Sequence, residues 1–217
     1  MTLQQRAHII GSILDDIYPE VKPTLNHTSP YTLLVATLLS AQCTDNKVNA
    51  VTPALFARAS TPEQMAELSA EEITAIIHSL GLAPTKTKHI KELSQRLVRD
   101  FQGRVPADFK ALESLPGVGH KTASVVMALA FDIPAFPVDT HIKRLAQRWE
   151  LCPSADVNKI EATLKELFPP REWYRRHLQL IYYGRQYCPA RNHELNACPI
   201  CQRLAAPPPN PGERTGK

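Results

Sequence analysis

Apolar residues recur at helical spacing along almost the whole chain. Leu3, Ile9, Ile10, Ile13, Leu14 and Ile17 line one face of a first helix. Residues 31–42, YTLLVATLLSAQ, are apolar nearly all round, the pattern of a central helix buried on every side. NKVNAVTPALFARA follows, and Pro53 should break or restart it, because proline removes an amide donor and crowds the preceding turn. TPEQ at 61–64 and SAEE at 69–72 are capping boxes: a hydroxyl at the cap, with Gln or Glu three residues on. They predict helix starts, the second near Ala70 with Gly81 ending it. PTKTKHIKELSQRLVRDF is a longer amphipathic helix whose basic residues come early. ADFKALES, THIKRLAQRWEL, VNKIEATLKELF and REWYRRHLQLIYYGRQY continue the helical pattern. No alternating β-branched run is long enough for a strand, so the fold class is all-α, with about ten short helices.

Composition narrows the class without naming it. At 43% hydrophobic and 21% charged residues the chain resembles an ordinary globular protein with room for a sizeable core. It has no apolar run of the roughly 18 residues a membrane span needs. Its first twenty residues carry acids and an interrupted apolar pattern, unlike a signal or transit peptide. A cytoplasmic location is the resulting expectation. A net charge of +4 is compatible with nucleic acid and does not single it out. Five cysteines, an odd number, argue against a disulfide framework. Cys43 and Cys152 stand alone, whereas Cys188, Cys198 and Cys201 cluster as metal ligands do. No heptad seam is visible, and a monomer is expected.

Residues 115–126, LPGVGHKTASVV, join two helical patterns through a glycine turn. The stretch is not a phosphate loop of the Walker type, because His120 separates Gly119 from Lys121 and no strand precedes it. What remains is helix, tight turn, helix. Gly117 and Gly119 allow another molecule to approach the backbone closely, and the following helix start offers oriented amides to a phosphate. Lys121 stands where a helix N-terminus is least hospitable to an ammonium group.

LPGVGHKTA and PVDTHIKRLAQR (137–148) resemble the two most diagnostic strings of the endonuclease III branch of helix-hairpin-helix DNA glycosylases. LLSAQCTD (38–45), GLAPTKTKHI (81–90) and the cysteines after GRQY are similar to further family motifs, in unbroken order from about residue 5 to residue 201. The resemblance implies a base excision repair enzyme that removes oxidised pyrimidines from duplex DNA and nicks the resulting abasic site by β-elimination. Lys121 would be the nucleophile and Schiff-base former, favoured as neutral amine by the helix start and by part burial. Asp139 would be the catalytic carboxylate, although its local sequence equally suits a helix N-cap. Gln42 would fill the space of an extruded nucleotide and Leu82 would wedge the stack open. Gly117, Gly119, His141 and Lys86 would lie against DNA, Lys86 with Lys88, His89 and Lys91 as a basic run beside the wedge loop.

The implied architecture is two helical lobes flanking a DNA cleft. Residues 20–133 would form one, with the hairpin at about 107–131. Residues 1–19 and 134–201 would form the other, ending in the cysteine loop, and residues 202–217 would be a disordered tail. The Lys121 hairpin and Asp139 would face each other across the cleft. The family's usual cofactor is a [4Fe-4S] cluster on four cysteines. Here nine residues separate Cys188 from Cys198, and no fourth cysteine follows Cys201. His193 is the candidate fourth ligand, on an iron–sulfur centre or on zinc; an empty site closed by packing is the third reading. The expected partner is double-stranded DNA with a damaged base or an abasic site, and no membrane. The alternatives are a relative of different base specificity, such as a mismatch or adenine glycosylase, and a non-catalytic DNA-binding helix-hairpin-helix module.

Overall fold

The computed structural model describes residues 1–205. Among them every regular element is helical. In chain order the α-helices are α1 (Leu3–Ile17), α2 (Pro30–Leu39), α3 (Asp45–Arg58), α4 (Pro62–Glu67), α5 (Ala70–Ile77) and α6 (Ala83–Phe101). There follow α7 (Phe109–Glu113), α8 (His120–Phe131), α9 (Thr140–Arg148), α10 (Val157–Leu167), α11 (Trp173–Gln186) and α12 (Pro199–Ala205). None is long and apolar enough to cross a membrane. The chain divides into two compact units, Pro23–Pro137 and a second made of Met1–Lys22 with Val138–Lys217.

The Pro23–Pro137 unit is built around α2, whose residues from Tyr31 to Leu39 are all buried. Leu33, Leu34, Val35, Ala36 and Leu39 pack with Ile73, Ile77, Ile90, Leu93, Leu97, Ala123 and Val126 in one apolar cluster. Full burial of each large aliphatic side chain contributes about 1.5–3 kcal/mol, so this cluster dominates the unit's stability. The helix starts at a capping box, Ser29 with Thr32. It ends three residues earlier than the apolar run predicts. The Ser40 hydroxyl donates to the Thr37 carbonyl at 2.7 Å, the Ala41 amide bonds the Leu38 carbonyl, and Gln42 turns left-handed at φ 55°.

Pro53 does not break α3, contrary to expectation: the helix runs unbroken from Asp45 to Arg58. Val48 and Thr52 on one side of the proline and Leu55 on the other are all buried, so packing outweighs the lost hydrogen bond. The capping box at Ser69 forms in full, with Glu72 returning to the Ser69 amide at 2.9 Å. That at Thr61 forms by half, because Gln64 bonds the Ser60 amide at 2.9 Å instead. The disordered tail expected at 202–217 does not include its first four residues. Gln202 to Ala205 complete α12, anchored by buried Ile200 and Cys201, and residues 206–217 lie outside the described residues.

In the other unit α1 is fastened to α11 by one buried guanidinium. Arg176, 5% exposed, grips Asp15 through two hydrogen bonds of 2.7 and 2.8 Å. It also donates to Glu172 at 2.7 Å and to the Gly11 carbonyl at 3.1 Å. Burial pushes the Asp15 carboxyl upward, but the bonds from Arg176 and Gln179 and the nearby guanidinium charges hold it below the usual carboxylate range. An Arg176→Met variant should lose about 3 kcal/mol of stability, since two carboxylates are left without their buried partner. The folded Asp15 is the more acidic state, so its contribution is present above the ordinary carboxylate pKa and fades as pH falls below it. Urea melts should therefore show the gap between variant and parent narrowing below about pH 4.

Candidate DNA-reading hairpin, carboxylate and metal loop

The turn between α7 and α8 is closed by two short-range backbone bonds, Leu115 amide to Leu112 carbonyl at 3.0 Å and Val118 amide to Leu115 carbonyl at 3.1 Å. Leu115 and Val118 are buried beneath it. Gly117 adopts φ +75°, and a Cβ there would meet the His89 ring at 2.8 Å. Glycine is thus required twice at this position, by the left-handed backbone and by contact with α6. Gly119 differs. It lies in extended backbone, and a Cβ there would meet nothing within 4 Å. Packing within the protein makes no demand for glycine at 119.

Gly119 caps α8 without a side-chain hydrogen bond, so the first-turn amides face outward. Lys121 is the second residue of that helix and is exposed. The part burial expected of it is absent in the free chain. His120 beside it bonds Glu113 at 2.6 Å and stacks on Phe109, which ties the turn back to α7.

Gln42 and Leu82, predicted to enter the DNA stack, share a backbone peculiarity that sequence reasoning missed. Both are left-handed, at φ 55° and 62°. A non-glycine residue held there costs on the order of 1–3 kcal/mol, and such strain concentrates at functional loops. Gln42 is exposed, and Leu82 is an exposed large apolar side chain at 52%.

The basic run on α6 is not one solvated face. Lys86, expected to touch DNA, is 3% exposed, and its ammonium donates to the Cys43 sulfur at 3.1 Å. Lys91 donates to the Ala66 and Leu68 carbonyls that close α4. His89 lies under Gly117, and Lys88 is exposed beside Glu92 at 3.9 Å. Helical spacing explains the correction: residues 86, 90, 93 and 97 lie on the buried stripe of α6, and Lys86 falls within it.

In the other unit Asp139 is the N-cap of α9, accepting from the Ile142 amide at 2.9 Å. His141, half-buried, meets the Arg144 guanidinium through Nδ1 at 3.2 Å. Arg144 in turn holds the Gly184 and Cys188 carbonyls at 2.9 and 3.0 Å, so His141 sits in the joint between α9 and the end of α11.

Cys188, His193, Cys198 and Cys201 converge, each offering one ligand atom, with all four atoms within 4.8 Å of one another. The three cysteines are buried and form no disulfide. His193 Nε2 is buried without a hydrogen-bond partner among the described residues. Hydrogen bonds from the Cys188 thiol first, then from Tyr183 and His193, outweigh burial and bring the Cys198 thiol down to about 4. Three thiols and an imidazole this close together form a metal-binding arrangement. Three groups that the sequence did not mark aim at the sulfurs: Arg148 at Cys188 (3.1 Å), Trp149 at Cys201 (3.3 Å) and Tyr183 at Cys198 (3.3 Å). Arg148 and Trp149 end α9 and Tyr183 lies on α11, so only the fold could bring them to the cysteines. Arg185 and Arg191 beside this loop are exposed.

The two glycines give separable outcomes. Gly117→Ala should destabilise the protein by about 2 kcal/mol in thermal or urea melts, from left-handed strain and the His89 clash. Gly119→Ala should cost less, about 1 kcal/mol, the difference between glycine and alanine at a helix N-cap. It should nonetheless weaken binding to duplex DNA by about tenfold, or roughly 1.4 kcal/mol, in a fluorescence titration.

A family model described as "HhH-GPD superfamily base excision DNA repair protein" matches residues 35–170. Endonuclease III of Bacillus subtilis is 41% identical over 188 residues, 86% of each chain. Endonuclease III of Escherichia coli K12 is 41% identical over 182 residues, 84% of this chain and 86% of its own. Among solved structures, a non-covalent endonuclease III–DNA complex superposes with a TM-score of 0.89 at 37% identity, covering 93% of this chain and 95% of that one. A trapped endonuclease III–DNA covalent intermediate superposes at 0.88 and 38% identity, covering 92% and 94%. With likeness of this extent in both sequence and backbone, the chain belongs to the endonuclease III family, within the HhH-GPD superfamily of base excision DNA repair proteins.

Proposed function

We propose that this chain is a bifunctional DNA glycosylase of base excision repair, which removes oxidised pyrimidines from duplex DNA and then cleaves the strand as an abasic-site lyase. The observation that carries the reading is the hairpin itself: an exposed lysine in the first turn of an uncapped helix, directly after a glycine with open space above it. The trapped covalent intermediate of a relative 38% identical to this chain supports a residue that bonds covalently to DNA.

In the proposed reaction the neutral Lys121 amine attacks C1′ of the deoxyribose, and the C1′–N bond to the base breaks with its electron pair leaving on the base. The amine proton passes to O4′ as the C1′–O4′ bond breaks with its electron pair on oxygen, which opens the sugar ring and leaves a protonated Schiff base. That cation withdraws electrons, so a C2′ proton can depart and the 3′ phosphate is expelled by β-elimination. Water then hydrolyses the imine and frees Lys121. The Asp139 carboxylate stabilises positive charge on the sugar and assists the proton transfers. Its hydrogen bond from the Ile142 amide fixes the carboxylate at the start of α9. Gln42 and Leu82 occupy the space left by the extruded nucleotide; their outward, left-handed placement supports this use. The donors Cys188, His193, Cys198 and Cys201 are assigned a structural role, bracing the loop that bears Arg191. The iron–sulfur cluster implied by resemblance and zinc would both serve that purpose.

Two substitutions test the assignment. Lys121→Gln should retain duplex binding and lose strand nicking at an abasic site by at least about a thousandfold, which a gel assay reads directly. Asp139→Asn keeps an equally good helix cap, so its melting temperature should match the parent. Its base-release rate should fall by about 10²–10⁴-fold. Unchanged turnover in the Asp139→Asn variant would reduce Asp139 to a cap. Nicking at the parental rate by the Lys121→Gln variant would remove the nucleophile.

A further inference from the structure

We infer that the cysteine loop holds one tetrahedral metal ion of the zinc class, bound by Cys188, His193, Cys198 and Cys201, and not a four-iron cluster. The inference stands on donor geometry alone and is independent of the glycosylase reading. A single ion with metal–sulfur bonds of about 2.3 Å sets its thiolates roughly 3.8 Å apart. The Cys188 and Cys201 sulfurs are 3.9 Å apart, and no two of the four donors are separated by more than 4.8 Å. In a [4Fe-4S] cluster each protein ligand binds a different iron. Its ligands therefore stand farther apart than those of one ion by the iron–iron distance, and this donor set leaves no such space.

The surroundings agree with one closed ion. The His193 ring meets the Cys198 sulfur, and its buried Nε2 has no hydrogen-bond partner among the described residues, so the imidazole lies within the donor set. Each sulfur meets one further side chain: Arg148 Nη1 donates to Cys188, and Trp149 Nε1 donates to Cys201. The Tyr183 hydroxyl accepts from the Ile200 amide at 2.8 Å, which leaves its own proton for Cys198. Such outer hydrogen bonds orient thiolates and balance their charge. After Cys201 the chain continues as helix to Ala205 and returns no fourth cysteine. Three thiolates and one imidazole form a common closed zinc set, whereas a catalytic zinc would keep an open position. The ion thus ties α9, the end of α11 and the 188–201 loop into one structural unit.

Metal and acid-labile sulfide analysis of the purified full-length protein, beside its visible spectrum, tests this without reference to activity. The expected result is one zinc per chain, no sulfide and a colourless solution. Replacing the zinc by cobalt(II) should give the intense visible bands of a tetrahedral thiolate site. His193→Ala should weaken zinc binding by more than about tenfold in competition with a chromophoric chelator. Cys188→Ser, followed by the cobalt spectrum, checks the same donor set should the alanine variant fold poorly. A brown protein with iron and sulfide in equal amounts, or a stable cluster after anaerobic reconstitution with both, would overturn the inference. Zinc affinity unchanged in His193→Ala would also overturn it. A one-zinc protein that releases no damaged base would refute the proposed function and leave this site intact.

Discussion

The left-handed backbone of Gly117, pressed onto the His89 ring, governs where α8 begins and therefore where Lys121 stands. A residue with a Cβ would have to strain its own backbone and displace a side chain of α6. Because Leu115 and Val118 anchor the turn from below, that displacement could not be absorbed by lifting the loop. The same turn leaves α8 without a side-chain cap, so its first amides remain available to an anionic group, and the open space over Gly119 lets that group come close. The uncapped amides of α8 and the placement of Lys121 are two consequences of one backbone constraint.

A second constraint acts on the loops that carry Gln42 and Leu82. Both residues hold conformations that branched and bulky side chains avoid, and both project outward instead of relaxing into the core. Lys86 connects the two loops: it rises from the first turns of α6, just after Leu82, and its ammonium reaches Cys43, the neighbour of Gln42. A buried ammonium requires a partner, so the contact resists any drift of one loop from the other. The contact thus fixes the spacing of two strained, outward-facing residues.

Much of this was legible in the chain because the signals are local. The Ser69 capping box, the Asp139 cap, the apolar stripe of α1 and the buried run of α2 each depend on residues a few positions apart, and each forms. Reading failed where tertiary packing decides. Pro53 stays within α3 because buried residues on both sides hold the helix together. Lys86 reads as one cation in a basic run, yet α6 turns it inward and spends its charge on a sulfur. Cysteine spacing marked a metal loop, but the separation of its donors and the aid of Arg148, Trp149 and Tyr183 arise only once α9 and α11 are packed. The left-handed placement of Gln42 and Leu82 had no sequence signal, since neither residue favours that region.

The proposed reaction turns on one covalent bond, from the Lys121 nitrogen to C1′ of the damaged nucleotide. Borohydride reduction during turnover on a lesion-bearing duplex converts a transient imine into a stable amine, and peptide mapping of the crosslinked protein locates the nitrogen. One crosslinked peptide is expected, carrying the deoxyribose adduct on Lys121. A crosslink on any other residue, or none from a preparation that still incises the strand, would contradict it.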